Sequence, residues 1–264
     1  MLGKLLKYEI KATGRIFLPL FFALLLFAGI TRFTLSPEKF DTPSMISLAI
    51  YIIIMVGMFV MTFIMMIQRF HKNLLSDEGY LMLTLPVKPW KHILSKLVVS
   101  MLWVMASGIA ALLSILIIAL EKGDLTNTAT QIATLYRQAY DHLGTSLYLL
   151  SFEIIIALLI SLASVILIVY ASIAIGHLFN QHKTLASFGA FVLLSTLSQL
   201  LFSLLSSIPG IAYFSNLHVS SNDFIGMQSV IQLAFAYGII FTGLLCAVYF
   251  TVTNFIISKR LNLE

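Results

Sequence analysis

The chain has 264 residues, of which 59% are hydrophobic and 10% are charged. A soluble domain carries about 25% charged residues and has too little interior for so much apolar surface, so the composition excludes an ordinary soluble fold and favours a membrane protein. The formal net charge is +5, but the basic residues flank apolar runs and form no patch interleaved with aromatics, so nucleic acid is not expected as a partner.

The first fifteen residues predict an amphipathic helix at the membrane surface. At about 100° per residue, Lys4, Lys7, Lys11 and Arg15 fall on one stripe, and leucine and isoleucine fall opposite. An apolar face in the lipid boundary and a basic face toward anionic headgroups are typical of an interfacial helix. Glu9 falls on the apolar side, where it either meets a cytoplasmic protein partner or pairs locally.

Six apolar stretches are long enough to cross a bilayer, since a spanning helix needs about 20 mostly apolar residues. The first is the weakest, because it is short, contains Pro19 and reaches full length only if Arg32 extends its charge to the membrane surface. It resembles the apolar core of a signal peptide, but no small-residue cleavage site follows, so we expect a retained helix. The stretches are 16–33, 45–67, 97–120, 147–175, 184–205 and 231–257.

The connection between the second and third stretches, residues 68–96, is the most specific part of the sequence. Asp77 is a candidate helix cap, and Pro86 and Pro89 are expected to end any helix that forms there. One interpretation is a short helix on the membrane surface that displays Asp77 and Glu78 to a partner. The other is a solvated interfacial loop.

The two longer connections on the opposite side differ in character. Residues 121–146 are polar and are predicted to be partly helical, whereas residues 206–230 are more apolar. The second segment predicts either a re-entrant element, which must be covered by protein at membrane depth, or an ordinary surface loop.

Glu153 is the only acidic residue clearly inside one of the six stretches. An ionisable group in a span is costly and is a functional-site hypothesis by default. It predicts a contact with a substrate, a gate or a partner subunit. The alternative is that the carboxylate reaches the headgroups or pairs with a loop residue such as Arg137.

The sequence contains no constellation that predicts catalysis or metal binding. Its six histidines show no metal-ligand spacing, and the single cysteine, Cys246, is expected to be a small packing residue. Glu153 has no second carboxylate or histidine in a span, which argues against an intramembrane enzyme. No G-x-x-x-x-G-K-[ST] phosphate loop occurs anywhere in the sequence.

The distribution of lysine and arginine predicts a cytoplasmic location for both termini. Twelve of these residues lie in or beside the two termini, the 68–96 connection and the short loop near Lys183, and four lie on the opposite side. Cytoplasmic loops carry the excess of basic residues. An even number of spans also requires both ends on one side, so the two arguments agree.

The run DEGYLMLTLPVKPWKHILSKL, residues 77–97, resembles a sequence of small bacterial permease subunits of the ABC-2 type. The opening MLGKLLKYEIKATGR and the ending YFTVTNFIISKRLNLE are similar to that family's ends, and the three segments occur in the right order. The resemblance implies an all-α polytopic membrane protein with six transmembrane helices. It also implies a single permease domain over residues 1–264, with an N-terminal elbow helix as in ABCG-like exporters.

The resemblance also implies a function and partners. Asp77, Glu78, Gly79 and Tyr80 would form a coupling helix seated in a separate ABC ATP-binding subunit, with Glu9 as a further docking residue. Two permease chains would pair in the cell membrane, as a homodimer or a heterodimer, and export a hydrophobic or amphipathic substrate. ATP and Mg would be bound by the partner, and this chain would bind no cofactor. The alternative is a non-transporting immunity, sensor or scaffold protein of the same fold.

Overall fold

The computed structural model describes residues 2–34, 41–75, 88–119, 124–179, 181–207 and 224–259. Every regular element in these ranges is an α-helix. The helices of the described ranges are α1 (Leu2–Thr34), α2 (Thr42–Leu75), α3 (Pro89–Ala119), α4 (Asp124–Leu143), α5 (Ser146–Gly176), α6 (Lys183–Ser206) and α7 (Phe224–Lys259).

Six of these helices are long and apolar enough to cross a membrane, and they coincide with the six predicted stretches. This confirms the prediction of an all-helical, multi-pass membrane protein. The exception is α4, a 20-residue helix that confirms the helical character predicted for the 121–146 connection. Of the 206–230 connection, residues 208–223 lie outside the described residues, so the re-entrant element stays a prediction.

Helix α1 differs from the prediction of a separate elbow helix over residues 1–15. It runs without interruption through Pro19, and its N-terminal part continues directly into the first span. Proline is tolerated inside a spanning helix when neighbouring groups satisfy the freed backbone carbonyl. The four basic residues of the predicted stripe are exposed, and Glu9, Thr13 and Phe17 are buried on the other side of the helix.

The chain divides into two compact units. The first comprises α1, α2 up to Leu74, α3 and residues 124–134 of α4. The second comprises residues 135–143 of α4 together with α5, α6 and α7.

Hydroxyl groups join the helices of the first unit across their apolar core. Tyr51 Oη and Ser114 Oγ lie 2.8 Å apart between α2 and α3, and Thr62 Oγ1 and Ser107 Oγ lie 3.0 Å apart between the same helices. Because lipid offers no hydrogen-bond partner, such groups pair between helices and fix how the helices are aligned.

Arg32 contributes a further link in the first unit, at the C-terminal end of α1. Its Nη1 donates a hydrogen bond of 3.0 Å to the backbone oxygen of Ile117 in the last turn of α3. The last four carbonyl groups of a helix have no partner within the helix. Arg32 therefore caps α3, a role that the prediction of a charge extended to the membrane surface did not include.

The second unit is built on α5, which packs against both α6 and α7. The C-terminal half of α5 is buried, including Ile166, Tyr170 and Ala174, whereas much of its N-terminal half is exposed. Helices α5 and α6 approach each other closely at Gly176. A Cβ atom on Gly176 would lie only 2.6 Å from the backbone nitrogen of Ser187 and would also overlap the Ser187 hydroxyl.

Candidate functional site

The predicted docking residues Asp77, Glu78, Gly79 and Tyr80 lie outside the described residues. The connection that carries them is shorter than the 68–96 range suggested. Helix α2 extends to Leu75 and α3 begins at Pro89, so the ends of that range are helical. Pro89 is the first residue of α3, because proline suits the first helical position, where its missing N–H has no partner to lose. The helix that Pro86 and Pro89 were expected to end lies outside the described residues.

A buried carboxylate joins three helices at one end of the first unit. Glu9 Oε1 in α1 accepts a hydrogen bond of 2.7 Å from Lys96 Nζ in α3, and Glu9 Oε2 lies 3.6 Å from Arg69 Nη1 in α2. The side chains of Lys96 and Glu9 are only 2% and 11% exposed. Glu9, Arg69 and Lys96 are called the Glu9 cluster below.

The Glu9 cluster shows the local pairing that was one alternative for Glu9, and the docking role stays a prediction. Its carboxylate is occupied by cations of the same chain, so local pairing is what the structure shows. Removing one member of such a buried pair leaves a charge in a low-dielectric environment, which is strongly unfavourable. The geometry therefore does not favour a role for Glu9 in direct docking to another protein.

Aromatic side chains pack beside the Glu9 cluster, on the side toward the membrane core. Trp103 Nε1 donates a hydrogen bond of 2.7 Å to Thr13 Oγ1, which itself donates to the backbone oxygen of Glu9 at 2.7 Å. The Trp103 ring stacks on Phe17 with 4.5 Å between ring centroids, and the indole also lies beside Gly14. The same side chains therefore fix the backbone that carries Glu9.

The cavity beside the Glu9 cluster is too small to bind a substrate. Its volume is about 20 Å³, and Glu9, Thr62, Arg69, Lys96 and Trp103 are among the side chains that line it. A cavity of this size has room for about one water molecule. What the structure shows of the cluster is that its ion pairs join α1, α2 and α3.

Sequence reasoning missed the cluster because Arg69 and Lys96 had been assigned to a loop as surface cations. The position of Glu9 on the apolar face was the one signal that pointed to it. A carboxylate on that face needs a cation, but nothing in the sequence indicates which one.

Glu153 in α5 has no such partner. Its Oε2 atom is buried, and no hydrogen-bond partner for it exists within the described residues. Arg137 does not form an ion pair with it, so the predicted local pairing is not seen among these residues. The hypothesis of a functional contact at Glu153 therefore stays open.

An apolar cavity of about 580 Å³ lies between α5 and α7 in the second unit. Its walls are apolar apart from the hydroxyl groups of Ser161 and Thr242. Cys246 helps to align the two helices, because its thiol lies 3.5 Å from the backbone oxygen of Ile160. The cavity is lined by Ile154, Ala157, Leu158, Ile160, Ser161, Ala234, Phe235, Gly238, Ile239 and Thr242.

Within the described ranges, no group of three or more His, Cys, Asp or Glu side chains is placed to hold a metal ion. Comparison of the chain with protein-family models, with curated proteins and with solved structures found no match. The features of the chain that bear on function are therefore the spanning helices, the Glu9 cluster, Glu153 and the cavity between α5 and α7.

Proposed function

We propose that the chain is the membrane-spanning permease subunit of an ATP-binding cassette exporter. The observation that carries the proposal is the position of the Glu9 cluster. It ties three spanning helices together at the end where the chain leaves α2 and re-enters at α3. The segment between them contains the proposed docking residues Asp77, Glu78, Gly79 and Tyr80.

A coupling segment must transmit the movement of an ATPase to the spans rather than bend alone. Arg69 lies less than two turns before the end of α2 at Leu75, and Lys96 lies two turns after the start of α3 at Pro89. Both contact Glu9. A displacement of the segment is thus shared by α1, α2 and α3, as rigid-body and shear transitions require.

The proposed complex follows from the same reasoning and from the resemblance of residues 77–97. The sequence has no phosphate loop, so ATP and Mg are assigned to the partner subunit. Two permease chains pair in the cell membrane with both termini in the cytoplasm. The proposed cargo is hydrophobic or amphipathic.

The proposal is tested by co-purification with an ATP-binding subunit encoded beside this chain, followed by reconstitution in lipid vesicles. We expect Glu78→Lys to leave membrane insertion intact and to lower the ATPase activity that depends on the complex. Asp41→Lys is the matched control, because it makes the same charge change at the opposite end of α2, just before Thr42.

Three outcomes would contradict the proposal. If no ATPase co-purifies, the exporter assignment is wrong. If the Glu78→Lys complex assembles and hydrolyses ATP as the wild type does, the docking assignment is wrong. The third outcome uses a single cysteine at position 78 in a Cys246→Ser background. If a membrane-impermeant reagent added to intact cells modifies it, the segment faces away from cellular ATP.

A further inference from the structure

We infer that the cavity between α5 and α7 binds an amphiphile with a cationic head, whose charge pairs with Glu153 and whose apolar part lies between the helices. The role of this ligand as the exported substrate rests on the proposed function. Its binding does not, because the residues concerned belong to this chain alone.

The first step concerns the buried oxygen of Glu153 that has no hydrogen-bond partner among the described residues. Carboxylates inside spanning segments are expensive and normally pair with another group of the protein. Glu9 follows that rule with two cations, whereas the buried Oε2 of Glu153 has no partner among the described residues. A cation supplied from outside the chain would remove this unfavourable state.

The second step is the cavity beside it. A volume of about 580 Å³ lies within the range of roughly 300–1,000 Å³ that is typical of small-molecule sites. Most of its lining is apolar, and the Ser161 hydroxyl already donates a hydrogen bond of 2.9 Å to the backbone oxygen of Leu158. The walls therefore select for hydrocarbon or aromatic groups.

The third step is the arrangement of charge and cavity along α5. Ile154 directly follows Glu153 and lines the cavity, and Ser161 lines it two turns further on. The apolar lining on α5 therefore extends for about 10 Å from the level of the carboxylate. Glu153 is not itself among the lining residues, but it precedes the lining residue Ala157 by four positions on the same face of α5. A carboxyl group beside one end of an apolar cavity is complementary to an amphiphile with one positive end.

Other occupants match these features less well. A neutral acyl chain fills the cavity but leaves the carboxylate unpaired. An anionic amphiphile brings a like charge close to Glu153, which is unfavourable in a low-dielectric environment. We therefore assign the site to cationic amphiphiles, and the experiment below separates them from resident lipid.

The test measures direct binding of radiolabelled tetraphenylphosphonium to the purified chain in phosphatidylcholine nanodiscs, without an ATPase. Tetraphenylborate has the same shape and the opposite charge, so it reports on charge selectivity. We expect saturable binding of the cation to the wild type and weaker binding of the anion. Glu153→Gln should weaken binding of the cation by about tenfold, the factor that corresponds to about 1.4 kcal/mol.

Two glycine variants provide a matched pair. Gly238 lines the cavity, and a Cβ added there meets no atom within 4 Å, so Gly238→Leu should fill the cavity without a backbone clash and abolish binding. Gly189 in α6 is equally unobstructed but does not line the cavity. Gly189→Leu should therefore bind the cation as the wild type does, and monodisperse elution of each variant verifies that it is folded.

Binding of the cation to Glu153→Gln at wild-type affinity would overturn the inference, and so would equal affinity of the wild type for the anion. If phosphatidylethanolamine nanodiscs abolish binding, the ammonium group of a resident lipid occupies the site, and the assignment of its ligand as an exported substrate is wrong. If the chain does not bind the cation, the exporter proposal is unaffected. If the chain binds the cation but no ATPase co-purifies with it, the binding site is retained and the exporter proposal is wrong.

Discussion

The two units of this protein hold their helices together by different means. In the first unit, polar side chains join neighbouring helices at both ends and near the middle. Glu9 pairs with Lys96 at one end, and Arg32 donates to the backbone oxygen of Ile117 at the other. In the second unit, α5 and α6 approach closely at Gly176 and Ser187, and α6 and α7 share an aromatic contact between Phe202 and Phe241.

Both solutions follow from the same property of lipid. Because lipid tails are as apolar as leucine, the hydrophobic effect does not drive helices together inside the bilayer. Polar pairing and close packing of small residues are the remaining ways to hold them. Polar pairing fixes the alignment of the first unit, whereas the second unit contains a large apolar cavity beside a carboxylate with an unpartnered oxygen. Under the two proposals made above, the first unit would transmit force and the second would receive a ligand.

The largest effect that tests this comparison is expected for Glu9→Gln. The change removes the negative charge that faces the buried Lys96 ammonium at 2.7 Å. Breaking a buried pair in this way costs roughly 3–5 kcal/mol. We expect a large loss of thermal stability of the purified protein, measured by unfolding in nanodiscs.

The control for Glu9→Gln is Lys11→Gln, which alters a charged but exposed residue of the same helix. Its effect should be small. The exchanged pair Glu9→Lys with Lys96→Glu should recover only part of the stability, because it restores opposite charges at positions 9 and 96 but places a lysine beside Arg69. If Glu9→Gln is as stable as Lys11→Gln, polar pairing does not hold the first unit together.

Gly176→Ala should cause the next largest effect, in the second unit. The added methyl group overlaps the backbone of Ser187, which a rotamer change cannot relieve. Overpacking of this kind costs about 1–3 kcal/mol. Gly189→Ala is the comparison, since its Cβ meets nothing within 4 Å. Equal melting temperatures for the two variants would show that the close approach of α5 and α6 is unimportant.

A smaller effect is expected for Thr13→Val in the first unit. Valine keeps the shape of threonine but leaves Trp103 Nε1 without the acceptor that it has at 2.7 Å. An unsatisfied buried donor costs about 1–3 kcal/mol, and tryptophan fluorescence should report the altered environment.

Thr196→Val in α6 is the control for Thr13→Val, because the Thr196 hydroxyl is exposed and donates only to backbone oxygens of its own helix. We expect neither its melting temperature nor its fluorescence to change. A similar loss in both variants would mean that the contact with Trp103 contributes nothing.

Cys246→Ala in the second unit should have the smallest effect. A thiol is a weak donor, and its contact with the backbone oxygen of Ile160 is long at 3.5 Å. We expect a loss below about 1 kcal/mol in the same unfolding measurement. A loss larger than that of Thr13→Val would show that the second unit depends on polar bonds as much as the first.

The spanning helices were accessible from sequence because hydropathy and length suffice to identify them. Helix α4 was also accessible from sequence, because its polar and apolar residues recur with helical periodicity. The elbow helix was not confirmed, because the apolar face of residues 1–15 is also what a helix needs to pack against α3. Periodicity reports that a face is buried, but it does not say what covers it.

Contacts between distant residues were not accessible from sequence. The partner of Glu9 is 87 positions away, and Lys96 looks like any other basic residue near a membrane surface. Gly176 is one of 14 glycines, and only the approach of α6 distinguishes it. The cavity depends on how α5 and α7 are aligned, which no local pattern encodes. Glu153 was found because charge inside an apolar stretch is rare in itself.

The separation of Glu9 from its cations along the chain has a consequence for biogenesis. The ribosome completes α1 well before it reaches Arg69 and Lys96, so the nascent first helix carries a carboxylate with no counter-ion from α2 or α3. Its N-terminal turns are then expected to remain at the aqueous boundary until the later helices emerge. We therefore expect insertion of the first three spans to be a collective event, in which the oldest segment reaches its final depth last.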